Sequence, residues 1–169
     1  VPKSQTPVIW LDLEETIINN WDDGFFTGHT QKIKTFIDKI KPSHINIWSF
    51  AIWDEEHRSQ FVSSSMKKSI EDVLGYEIKE YPSVEDIRLM VYEYEKTRYF
   101  SRSEFMQMNG KFWSFIKYGM LRNDEHIILI DDAVQHTTMD IVKRNVKITT
   151  LNVAFDIAYK GQCFPRSQF

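Results

Sequence analysis

Two groups of acidic side chains stand directly behind runs of apolar residues in this chain of 169 residues. In the first, Val8, Ile9, Trp10 and Leu11 lead into Asp12, Glu14 and Glu15; in the second, the run HIILI leads at once to Asp131 and Asp132. Crowded carboxylates repel one another unless a cation lies among them, and hard cations such as Mg²⁺ take oxygen ligands. Short unbroken apolar runs are the pattern of strands buried on both faces of a parallel sheet. In an open α/β sheet the crevice beyond the carboxyl ends of the strands is where ligands bind, so acid placed there is acid at a site. Acidic loops also cap strand ends with no further role. Each segment read alone leaves both alternatives open.

The elements between the two runs must bring them together. NNWDDGFFTGH is a loop by composition. Thr30 can cap the helix that follows, whose Ile33, Phe36, Ile37 and Ile40 form one apolar stripe. Pro42 and Ser43 stop it, and Ile45, Ile47, Trp48 and Phe50 then make a second buried strand ending near Ser49. Strand, helix, strand is a right-handed crossover and implies a parallel sheet. Residues 54 to 74 read as one helix ended by Gly75, GYEIKEYPS as a short extended piece or turn, and Ser83 as the start of a helix reaching Phe100. A further helical region runs from Ser103 to Leu121, with a break signalled at Asn109 and Gly110. After the acidic pair, His136 to Arg144 reads as a short helix and VKITTLNV as a last strand. The expected fold is α/β, a parallel sheet with helices on both faces, as one domain over residues 1 to 169.

Composition narrows the class. Hydrophobic residues at 42% and charged residues at 27% are those of a globular domain and exclude a disordered or fibrous chain. Five Trp, seven Tyr and twelve Phe are best accounted for by a core and helix faces built of large rings. A net charge of −3 gives no global basic footprint for nucleic acid. Cys163 is the one cysteine, so no intrachain disulfide forms and a reducing cytoplasm is the expected compartment. VPKSQTP has no apolar signal core, and no stretch approaches the roughly 18 apolar residues of a membrane span. The five histidines are scattered, with none at zinc-ligand spacing.

Asp-Leu-Glu-Glu-Thr-Ile after a hydrophobic strand resembles the first motif of the haloacid dehalogenase-like (HAD) superfamily, which usually reads Asp-x-Asp-x-Thr. It is closest to the Asp-Leu-Asp-Glu-Thr-Leu version of the small phosphatases that act on the RNA polymerase C-terminal domain. The resemblance covers roughly Val8 to Val153. It implies a three-layer, Rossmann-like fold and a small helical insertion at about 54 to 110. It also implies a Mg²⁺-dependent phosphohydrolase in which Asp12 attacks phosphorus to form an aspartyl-phosphate. Ser49 then matches the second motif, which donates a hydrogen bond to the phosphoryl group, and Asp131 and Asp132 match the late acidic pair. Mg²⁺ would be held by Asp12, the Glu14 carbonyl, Asp131 and Asp132. The family's lysine has two candidates: Lys117, fourteen residues before Asp131, is preferred slightly to Lys111, twenty before it.

Glu14 departs from the pattern, since the second acid is ordinarily Asp. Its carboxyl can protonate a leaving oxygen and activate water, but the extra methylene shifts it by about an ångström, and misplacement on that scale can cost around a hundredfold in rate. A phosphorylated substrate (small ester, phosphoprotein or nucleic-acid end) is the expected partner. The alternatives are an interaction module on the same scaffold, or a nucleic-acid binder using the aromatic and basic residues between Lys96 and Lys117.

Overall fold

Strand β1, Val8–Leu11, has an apolar cluster on each of its two faces, which is why all four of its residues are apolar. It pairs in parallel with β2, Ile45–Ile47, through Ile9 opposite Ile45, and with β3, His126–Asp131, through Val8 opposite Ile127. The computed structural model describes residues 6–52, 54–82, 111–123 and 125–157. These form an α/β arrangement around a five-stranded, mostly parallel sheet of order β2-β1-β3-β5-β4, where β4 is Thr137–Ile141 and β5 is Val146–Asn152. Three connections are parallel, and β4 alone runs antiparallel to its neighbour β5. Among the described residues no helix is long and apolar enough to cross a membrane.

Alternation along the strands divides the core in two. Ile9, Leu11, Ile128 and Ile130 join one cluster with Ile33, Phe36 and Ile37 of α1, Thr30–Ile40. Phe61 of α2, Glu55–Val62, and Ile70 and Leu74 of α3, Ser65–Leu74, belong to the same cluster. Trp10, Ile127 and Leu129 join the other with Phe112, Phe115 and Ile116 of α4, Lys111–Met120. The rings account for much of the second cluster: Trp10 meets Trp48 edge-on at 5.5 Å, and Trp48 meets Phe115 at 5.2 Å. Such pairs add about 1 kcal/mol each to what area burial supplies.

Several local expectations change. Thr30 is the first residue of α1 rather than its cap; its hydroxyl donates to the Thr27 carbonyl, and His29 occupies the cap position without a side-chain bond. The stretch from 54 to 74 is two helices, because Ser64 breaks it and caps α3 by accepting from the Lys67 N–H, as Asp54 caps α2 by accepting from the His57 N–H at 2.7 Å. Gly75 does end α3, with φ +84. Residues 77–80 run alongside β2: Ile45 and Ile47 donate to the carbonyls of Glu77 and Glu80, and Lys79 donates back to Ile45.

The largest correction concerns His136 to Arg144. Instead of a helix, Thr137–Ile141 is the antiparallel strand β4, followed by one 3-10 turn at Val142–Arg144 and a left-handed Asn145 that reverses the chain into β5. Thr137, Thr138 and Ile141 are β-branched and suit a pleated surface, and Thr138 and Thr149 join hydroxyls across the pair at 2.8 Å. The expected helix at Ser83 to Phe100 and the part of the next helical region before Lys111 lie outside the described residues.

Candidate active site

The end of β1 is fixed by its neighbours: the Asp12 N–H donates to Ile130 of β3, and Trp48, just past β2, donates to the carbonyl of Leu11. Beyond Asp12 the chain coils tightly. The N–H groups of Thr16, Ile17 and Ile18 all converge on the carbonyl of Leu13, and Glu15 takes a left-handed φ of +62. A non-glycine residue in that region costs on the order of 1 kcal/mol. The coil returns Thr16 to Asp12, where its hydroxyl lies 2.8 Å from Asp12 Oδ2 and 3.2 Å from Asp132 Oδ1.

The second acidic run arrives from β3. Asp131 is the last residue of that strand, fully buried, with Oδ1 accepting from the Ala133 N–H at 2.8 Å. Asp12 is 5% exposed. One carboxylate oxygen from each of Asp12, Asp131 and Asp132 lies within 4.8 Å of the others. The two acidic runs, more than a hundred residues apart, thus share one pocket of charge at the carboxyl ends of adjacent strands.

Lys111, the first residue of α4, answers that charge. Its Nζ pairs with Asp12 Oδ1 and lies 2.6 Å from Asp131 Oδ2. Burial works against the ammonium, but the two carboxylates outweigh it and hold its pKa above the ordinary lysine value. Lys117, the preferred candidate in the sequence, is exposed on another side of α4. Six positions along a helix turn a side chain far from the first, and the apolar face formed by Phe112, Phe115 and Ile116 dictates which lysine turns inward.

One ammonium does not balance three carboxylates. Burial, then the charge of Asp131, pushes Asp12 up to about 6 despite Lys111 and Thr16. Burial, then the charges of Asp131 and Asp12, pushes Asp132 up to about 8. A divalent cation relieves both, and an all-carboxylate donor set is what Mg²⁺ or Ca²⁺ takes. The residues present therefore fit a hard divalent ion.

Ser49 is buried two residues beyond β2, its Oγ accepting from the Ala51 N–H at 3.2 Å while its own proton is left to donate. Glu14 is half-buried and lies outside the cluster of three carboxylates. The residue whose part sequence reading missed is Thr16. It stands in the quoted motif, but only the coil shows its hydroxyl joining both acidic runs. His136 follows the acidic pair closely in sequence; its Nδ1 accepts from the Asn152 N–H at 3.2 Å, and burial holds its pKa below the usual histidine value. No protein-family model matches the chain, and no match was found among curated proteins or solved structures.

Proposed function

We propose that this protein is a Mg²⁺-dependent phosphohydrolase of the HAD type, with a three-layer, Rossmann-like fold and Asp12 as nucleophile. The observation that carries the reading is the convergence of Asp12, Asp131 and Asp132 within 4.8 Å, with Lys111 against two of them. The bound ion would be held by those three carboxylates and would neutralise charge on the phosphoryl oxygens.

In this mechanism Asp12 Oδ attacks phosphorus, the bond to the leaving oxygen breaks, and a proton from Glu14 goes to that oxygen. Glu14 then takes a proton from water, which attacks the aspartyl-phosphate and frees Asp12. Lys111 keeps Asp12 ionised and positioned, Thr16 holds its other oxygen, and the Ser49 hydroxyl donates to the phosphoryl group. The reaction belongs in a reducing cytoplasm, given the single cysteine. The test is hydrolysis of a generic phosphomonoester with Mg²⁺, expected in the native chain and abolished by Asp12→Asn. Undiminished hydrolysis in that variant would overturn the assignment.

A second reading is motivated by Glu14, a Glu where the resembled motif ordinarily has Asp. On that reading the scaffold binds a protein or nucleic-acid partner and turns over slowly or not at all. It expects no activity across a broad phosphate panel and no gain from Glu14→Asp, whereas a phosphohydrolase limited by the reach of Glu14 should gain.

A further inference from the structure

Ser49 is followed by a 3-10 turn, Phe50–Ile52, and one side of that turn faces a cleft of about 490 Å³. The walls are Ala51 and Ile52 of the turn, Phe61 of α2, Met66 of α3 and Trp21 from the loop behind the nucleophile, with His57, Gln60 and Ser64 as the polar members. Two physical links tie this cleft to the charged site. The Ala51 N–H donates to Ser49 Oγ, so the cleft wall and the candidate phosphoryl donor are one hydrogen-bonded turn. Trp21 belongs to a loop anchored to the nucleophile's own coil, through the Thr27 hydroxyl on the Thr16 carbonyl at 2.7 Å and the Thr27 N–H on Ile17.

The cleft's chemistry is aromatic and soft. Trp21 and Phe61 meet edge-to-face at 6.1 Å, and Met66 adds a thioether beside them. A Cβ on Gly24 would come 3.2 Å from the Met66 methyl, so the loop closes tightly over α3. The Trp21 indole N–H is buried without an acceptor among the described residues. The volume falls in the range of small-ligand sites.

We propose that this cleft is the leaving-group subsite and that the substrate is an aryl phosphomonoester, with its phosphoryl group at Asp12 and Ser49 and its ring in the cleft, packed against the wall that Trp21 and Phe61 form together. The inference rests on the phosphohydrolase reading and narrows it. The phosphorus–oxygen bond to the ring breaks as the Asp12–phosphorus bond forms, and the phenoxide oxygen receives the Glu14 proton. Aromatic walls set the class, since rings pack on rings and sulfur with a directional gain that an alkyl chain does not match.

The experiment titrates the Mg²⁺-loaded protein with phenylphosphonate and with methylphosphonate by calorimetry, so that binding is read without turnover. Phenylphosphonate should bind at least about tenfold more tightly, a difference of about 1.4 kcal/mol. Gln60→Trp, and separately Ala51→Leu, fill the cleft from opposite walls and should each bring that ratio close to one. Equal affinity of the two phosphonates in the native chain, or a ratio untouched by both variants, would overturn the subsite. Hydrolysis of methyl and phenyl phosphate with equal efficiency would overturn the subsite while sparing the phosphohydrolase. Ring-dependent binding without hydrolysis of phenyl phosphate would do the reverse, and absence of binding by either phosphonate would remove both.

Discussion

Lys111 illustrates how much one side chain decides in a buried site. Its ammonium lies between Asp12 and Asp131, where removing it strands two carboxylates beside a third. Breaking a buried ion pair from one side costs about 3 kcal/mol or more, so Lys111→Met should lose about that much stability at neutral pH in urea unfolding and lower the proposed phosphatase activity at least about a hundredfold. Lys117→Met should shift stability by less than about 0.5 kcal/mol. A larger loss in the Lys117 variant than in the Lys111 variant would reverse this assignment of the two lysines. His126 makes a different prediction. Its Nε2 meets Thr149 Oγ1 at 2.9 Å, and burial, aided by Lys147, holds its pKa down to about 3 from 6.5. The unfolded chain then binds the extra proton between those two values, so the stability this group contributes is full above pH 6.5 and is lost as pH falls toward 3. Chemical denaturation across that range should show a loss of roughly 4–5 kcal/mol from this source, and His126→Gln should flatten the curve.

At the scale of the element, helix α4 must sit close to the sheet for Lys111 to reach Asp12. Gly119 permits it: a Cβ there would come 2.6 Å from Ile148 Cδ1 and 2.7 Å from Ile127 Cδ1. Gly119→Ala ought to help a free helix by about 1 kcal/mol, but overpacking against β3 and β5 costs about 1–3 kcal/mol, so the net effect should be destabilising. Thermal melting that rose in this variant would show that α4 is not held at that distance. Elements also mark where sequence periodicity was decisive and where it was not. The apolar runs of β1 and β3 and the stripe Ile33, Phe36, Ile37 and Ile40 were legible because burial on both faces, or on one helical face, leaves few residue types to choose from. Thr137–Ile141 was not, since four half-buried residues and an exposed Asp140 at a sheet edge carry no clear period and their state is settled by pairing with β5.

For the whole molecule, the acid cluster sets a balance between protons and metal. Asp12 near 6 and Asp132 near 8 both lie above their ordinary 3.8, so the folded chain holds more protons than the unfolded one between about 4 and 8. Stability of the metal-free protein should therefore fall as pH rises through that window. A divalent ion replaces the protons and stabilises by mass action, so millimolar Mg²⁺ should raise the melting temperature more at pH 8 than at pH 6. A rise independent of pH, or none, would argue against an ion among these carboxylates.

The sequence by itself determined that two buried strands end in acid and that a helix crosses between β1 and β2, because apolar runs and stripes record burial directly. It also marked Asp12, Asp131 and Asp132 as candidates for one cation. Tertiary structure alone decided that these three meet, that Lys111 rather than Lys117 turns toward them, that Thr16 joins the two runs, and that the chain after Asp132 returns as a strand. The physical reason is one of range. Burial and helical phase act over neighbouring residues and leave their mark on spacing, whereas the meeting of charges more than a hundred residues apart is set by strand register and helix docking, which no local pattern encodes.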